Sequence, residues 1–219
     1  MNLPSVLAGF RRRLKADSNA RRALLCRCLP LVEDGAIHVE PDGWSALRGR
    51  RGGRAVRVVP FCDNLAFRRL PQLWLSIDVE ADLSALGALD VVRRAANVEF
   101  YAAADDFPLR LDVPPQWPQD TLVKGRSARA RETLARLAAP GEEMLADARV
   151  KEILVAPKGL RVTRQLRQGE RGAYLLLRQN RFELSPLAPA ELEPFIASVE
   201  RLVDALAPSS SGHRHAAAL

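Results

Sequence analysis

The residue types best suited to chemistry stand in "SIDVEAD", where Asp78, Glu80 and Asp82 alternate. Side chains two apart on a strand project from one face, so three carboxylates would stand in a row there. Such a row can hold magnesium for phosphoryl transfer or hydrolysis. A nuclease would normally add a lysine beside it, and the four lysines, Lys15, Lys124, Lys151 and Lys158, lie far off in sequence. Any strand with a solvent face shows the same alternation. Ion pairing with the abundant arginines is the simpler expectation, and a metal-dependent hydrolase on Asp78, Glu80 and Asp82 is the weaker one.

Cys26, Cys28 and Cys62, with His38, supply the atom types of a zinc site, but at the wrong spacing. Structural zinc sites favour paired ligands two to four residues apart, whereas Cys-x-Cys on a helix points its thiols roughly 160° to 200° apart. Buried, reduced thiols are expected, with no metal and no cofactor. His38 is the one histidine outside the tail "PSSSGHRHAAAL", which carries His213 and His215. It sits in "GAIHVE" with no serine elbow nearby, so no catalytic residue is assigned.

The stretch "WSALRGRRGGRAVRVV" packs five arginines and three glycines into sixteen residues. A phosphate-cradling loop would run from a strand into a helix and end in Gly-Lys-Ser/Thr. Here "RGG" is flanked by strand-like segments on both sides, so it reads as a hairpin turn whose glycines accept positive φ. Its arginines can still meet an anion. Arg50, Arg51 and Arg54, with Arg11, Arg12, Arg13, Lys15, Arg21 and Arg22 near the N-terminus, make up the candidate polyanion-binding set. The formal net charge is +7, carried almost wholly by arginine. Arginine and alanine over lysine is also what GC-rich coding produces, so charge alone is a weak functional signal. No motif interleaves aromatic and basic residues for single-stranded nucleic acid, and no helix-turn-helix pair is apparent.

The elements that would position these groups follow from periodicity. Leu3 to Leu29 reads as helical in two pieces, with Ser18 or Asn19 capping the second and Pro30 ending it. From Gly35 to Val113 the period is two. "LWLSIDV" sets Leu73, Leu75, Ile77 and Val79 against Trp74, Ser76 and Asp78, and "NVEFYA" and "PLRLDV" repeat the alternation, which predicts an antiparallel sheet with one polar face. After "VPPQWP", Ser127 can cap a helix to Ala138, with Pro140 and Gly141 restarting it into "EEMLADA". Strands follow at "KEILVA", "GLRVTRQL", "AYLLLRQ" and "RFEL". Leu192, Phe195, Ile196, Val199, Leu202, Val203 and Leu206 then form an apolar stripe on a helix from about Glu191 to Ala207.

The fold class is therefore α+β, mainly antiparallel strands with an N-terminal helical region, a central helical segment and a long amphipathic C-terminal helix. The organisation read from this is a basic helical segment (1–30), an α+β domain (31–207) of two possible packed halves (31–117 and 118–207), and a disordered tail (208–219). No window is long and apolar enough for a transmembrane segment, and the N-terminus lacks a secretory pattern, so a cytoplasmic location is expected. The leading functional reading is a non-catalytic binding or assembly module, with a protein partner or self-association. The alternative is an accessory protein held weakly to nucleic acid or to anionic lipid by its basic N-terminal region.

Overall fold

The computed structural model describes residues 17–62, 70–93, 106–171 and 181–207. The expectations for Leu3–Leu14, "NVEFYA", "AYLLLRQ" and the tail lie outside the described residues. The elements run β1 (Glu33–Val39), β2 (Ser45–Arg51), β3 (Arg54–Cys62), β4 (Gln72–Glu80), β5 (Leu89–Arg93), β6 (Leu109–Leu111), β7 (Thr121–Gly125), α1 (Ala130–Ala146), β8 (Val150–Ala156), β9 (Gly159–Gln168) and α2 (Pro189–Leu206). Among the described residues nine strands form one sheet, ordered β1-β2-β3-β4-β9-β8-β5-β7-β6. Every pairing is antiparallel. The chain is α+β, with strands dominant.

The "RGG" stretch is the β2–β3 turn. Arg51 pairs with Arg54, and Gly52 and Gly53 both take positive φ (55° and 79°), the signature of a type I′ hairpin. α2 lies across β4 and β9, and α1 packs beside it over β5 and β7. All seven residues of the C-terminal stripe are buried and share one core with Leu73, Leu75, Ile77 and Val79.

The structure departs from the sequence reading in four places. The opposite face of β4 is not simply polar: Trp74 and Ser76 are buried, and Trp74 clusters with Val92 and Phe61. Phe61 of β3 and Val92 of β5 pack with Trp74 there, so a small second apolar cluster covers part of this face, which alternation alone does not report.

The central helix does not restart at Pro140. α1 runs unbroken through Pro140 and Gly141, because Ala130, Thr133, Leu137, Gly141 and Met144 form a continuous buried face at spacings of three and four. A Cβ on Gly141 would stand 2.7 Å from the Trp117 ring, and the Trp117 indole donates to the Ala138 carbonyl at 2.8 Å. Tertiary packing here outweighs the lost proline N–H. Its N-cap is Arg129, with no side-chain cap; Ser127 instead accepts the Ala130 N–H through its carbonyl.

At the start, Ser18 and Asn19 lie inside a helical stretch (17–23), and Pro30 sits within a 3₁₀ helix, Cys26–Leu31, that buries Cys28. "RFEL" is not a strand. Its Phe182 meets Trp44 edge-on, and Phe182 and Leu184 pack against the core.

Candidate functional site

The three carboxylates of "SIDVEAD" serve separate ends. β4 stops at Glu80, so Asp82 is beyond the strand, where it accepts hydrogen bonds from the Ser84 hydroxyl (2.6 Å) and backbone N–H (3.1 Å). Those bonds, the hydroxyl's foremost, hold its carboxyl below the ordinary range. Glu80 is exposed. Asp78 lies in register between Arg57 on β3 and Arg161 on β9, 3.8 Å from the first and 2.5 Å from the second. Arg57 also donates to Glu40 at 2.9 Å, and Arg48 on β2 reaches the same oxygen at 3.0 Å. The result is a chain of alternating charge, Arg48–Glu40–Arg57–Asp78–Arg161, laid across four neighbouring strands. Hydrogen bonds from Arg57 and Arg48 keep the Glu40 carboxyl below its usual range. Among the described residues no group of three or more His, Cys, Asp and Glu is placed to hold a metal.

The candidate polyanion set does not gather into one described face. Arg11, Arg12, Arg13 and Lys15 lie outside the described residues. Arg21 stacks over the Trp44 ring at 5.0 Å, and Arg22 is exposed. Arg50 donates to the Gly53 carbonyl. Arg51 and Arg54 turn toward α2, where Glu193 and Glu200 engage the first and Asp204 the second. Arg51 follows Leu47 and Gly49 on the inward parity of β2, so the helix carboxylates neutralise a charge that would otherwise be desolvated.

A second arginine on an inward parity position escaped the sequence reading. In β9, Leu160, Val162 and Arg164 alternate on the helix side, and Arg164 stacks on the Phe195 ring of α2 at 4.2 Å. It lines a cavity of about 260 Å³ with Arg149, Gln165, Leu166, Arg167, Leu187, Glu191 and Leu192. Asp147, the C-cap of α1, is bound by Arg149 through Nε (3.0 Å) and Nη2 (2.9 Å) and lies 3.8 Å from Arg164. Burial alone would raise the Asp147 carboxyl, but the Arg149 hydrogen bonds outweigh it and hold it low. Burial, and then repulsion from Arg149, push the Arg164 guanidinium below the usual arginine value. The signal was present in the sequence: a charge at the apolar parity of a strand that is otherwise Leu and Val.

The cysteines have distinct surroundings. Cys28 is buried and donates to the Leu187 carbonyl at 3.5 Å, and burial pushes its thiol up to about 11. Cys26 is exposed, and Cys62 is half-buried on β3. His38 is exposed on β1.

No family model matches the chain, and no curated protein matches it. Among solved structures it is similar to the mycobacterial trehalose monomycolate transport factor A, TtfA, at 10% identity and a TM-score of 0.44, over 82% of this chain and 78% of that one. No helix among the described residues is long and apolar enough to cross a membrane.

Proposed function

We propose that this chain is a non-catalytic module that works by binding a protein partner. The observation that carries the reading is the use made of Asp78. A carboxylate serving as general base or metal ligand needs a lone pair for its substrate or ion. Asp78 instead stands between Arg57 and Arg161 in the cross-sheet charge chain. The first carboxylate of the "SIDVEAD" row thus acts as a clasp between strands, which supports binding over turnover and leaves the hydrolase reading without Asp78 as a ligand.

The surface offered to a partner is the edge strand β1. Among the described strands it pairs only with β2. A bulge between Glu33 and Ala36, with Asp34 at φ 52°, bends the start of the strand and leaves Ala36–Val39 as its regular stretch. Val39 is 53% exposed there. Residues 33–39 hold Glu33 and Asp34 but no lysine or arginine, in a chain of net charge +7. An extended partner segment with basic flanks is the complement, adding as a further strand.

A photo-crosslinking residue at position 39, compared in cells with one at the exposed Arg136 on α1, tests this. A single dominant crosslinked protein at position 39 is expected. Equal, diffuse crosslinking at both positions would contradict it, and capture of a second copy would replace the partner with self-assembly. The competing reading, a polyanion anchor at the N-terminal region, would show as DNA or anionic-liposome binding that falls steeply with salt. Glutamate at Arg11, Arg12, Arg13, Arg21 and Arg22 would abolish that binding.

A further inference from the structure

We propose that the cavity between β9 and the start of α2 is a binding site for a phosphate-type oxyanion, with Arg164 as its floor and Arg149 and Arg167 as its rim. Three arginines line it, while among the described residues two carboxylates neighbour them. Asp147 is committed to Arg149 through paired hydrogen bonds, and Glu191 stands 3.6 Å from Arg167. Arg164 is left with the poorest share. Its side chain is only 11% exposed; among the described residues its nearest carboxylate oxygen is 3.8 Å away and its buried Nε has no hydrogen-bond partner. A guanidinium in that position carries a desolvation cost that an entering anion would offset.

The helix end is not what draws the anion. The Ala188 N–H at the start of α2 is already taken by Glu191 Oε1 at 3.2 Å. Glu191 thus has two duties, as helix cap and as the carboxylate facing Arg167.

Size and shape decide the class. A cavity of about 260 Å³ falls below the roughly 300 Å³ at which sites for drug-sized ligands begin, so it admits a headgroup and not a nucleotide. Guanidinium N–H groups converging from three residues suit a tetrahedral oxyanion, whereas a planar carboxylate is satisfied by one fork. The oxyanion can be free phosphate or the terminal group of a phosphomonoester whose remainder stays outside.

The test is calorimetric titration of the intact chain with inorganic phosphate and, separately, with glycerol phosphate, each against chloride at equal ionic strength. Saturable binding of at least one is expected. Phosphate alone identifies the free ion as the source, and equal or tighter binding of glycerol phosphate identifies the monoester. Arg164→Gln should weaken binding roughly 10- to 100-fold, the value of a charge-assisted hydrogen bond. Should that variant fail to fold, Arg149→Gln on the rim, 62% exposed, reports the same loss in a smaller amount. Glu191→Gln keeps the helix-capping oxygen and removes one competing charge, so it should bind more tightly than wild type. Heats no different from chloride, or binding that all three variants leave unchanged, would overturn the proposal.

Discussion

Arg51, the last residue of β2, and Glu193, in the first turns of α2, are joined by two parallel hydrogen bonds of 2.6 and 2.5 Å. The Nε of the same guanidinium meets Glu200, two helical turns later, at 2.9 Å. One side chain therefore fixes the hairpin end against the helix at two points. Arg51→Met keeps the aliphatic stem and removes the fork. It should cost about 1 to 3 kcal/mol in urea unfolding, toward the lower end because Glu193 is 42% exposed. Glu193→Gln should cost less, since Glu200 remains. Wild-type unfolding midpoints in both variants would remove this contact from the stability of the fold.

The same pair sets an acid dependence. Hydrogen bonds from Arg51 hold the Glu193 carboxyl below its usual range, and those from Arg57 and Arg48 do so for Glu40. A carboxylate depressed on folding adds stability above its unfolded pKa, and that stability is lost as pH falls through the folded value. The melting temperature should fall from about pH 5 downward, the upper end of carboxylate titration in the unfolded chain. Arg51→Met should flatten part of that fall. Parallel pH profiles for the variant and the wild type would contradict the assignment to Glu193.

The legible and illegible parts of this chain divide on physical grounds. The α2 stripe and the "RGG" turn could be read from sequence because each is a local rule, helix periodicity in one case and positive φ at paired glycines in the other. The course of α1 through Pro140 could not be, since what holds it is Trp117 over Gly141, a contact set by tertiary packing. The two faces of β4 were ambiguous because alternation does not report what packs over each face, and Trp74 is covered by Phe61 and Val92 from other strands. The arginine cavity brings Arg149, Arg164, Arg167 and Glu191 together from three segments. Only the charge at an inward parity position of β9 hinted at it.

Truncations within the α2 stripe test the core. Phe195 and Leu202 are 4% and 1% exposed, so Phe195→Ala and Leu202→Ala should each cost roughly 2 to 5 kcal/mol. The Phe195 change should be the more disruptive, because it also removes the ring beneath Arg164. Wild-type melting in both would mean that α2 contributes nothing to the folded body.

The thiols should separate cleanly by reactivity. Cys28 is buried with its thiol pushed up to about 11, whereas Cys26 is exposed. Only the thiolate is nucleophilic, so iodoacetamide at neutral pH should modify Cys26 and spare Cys28 in the native protein. Mass spectrometry of the peptide carrying both residues reads the result. Modification of Cys28 at a rate matching Cys26 would show that the 3₁₀ helix opens readily.

The sharpest distinction between a binding module and an enzyme is Asp78→Asn, followed by thermal unfolding and by manganese titration. As a clasp between Arg57 and Arg161, the aspartate should lower stability by about 1 to 2 kcal/mol when neutralised. Wild-type protein should then show no saturable manganese binding for the variant to lose. A variant that unfolds like wild type yet abolishes stoichiometric manganese binding would instead make Asp78 a metal ligand, and the chain a candidate hydrolase.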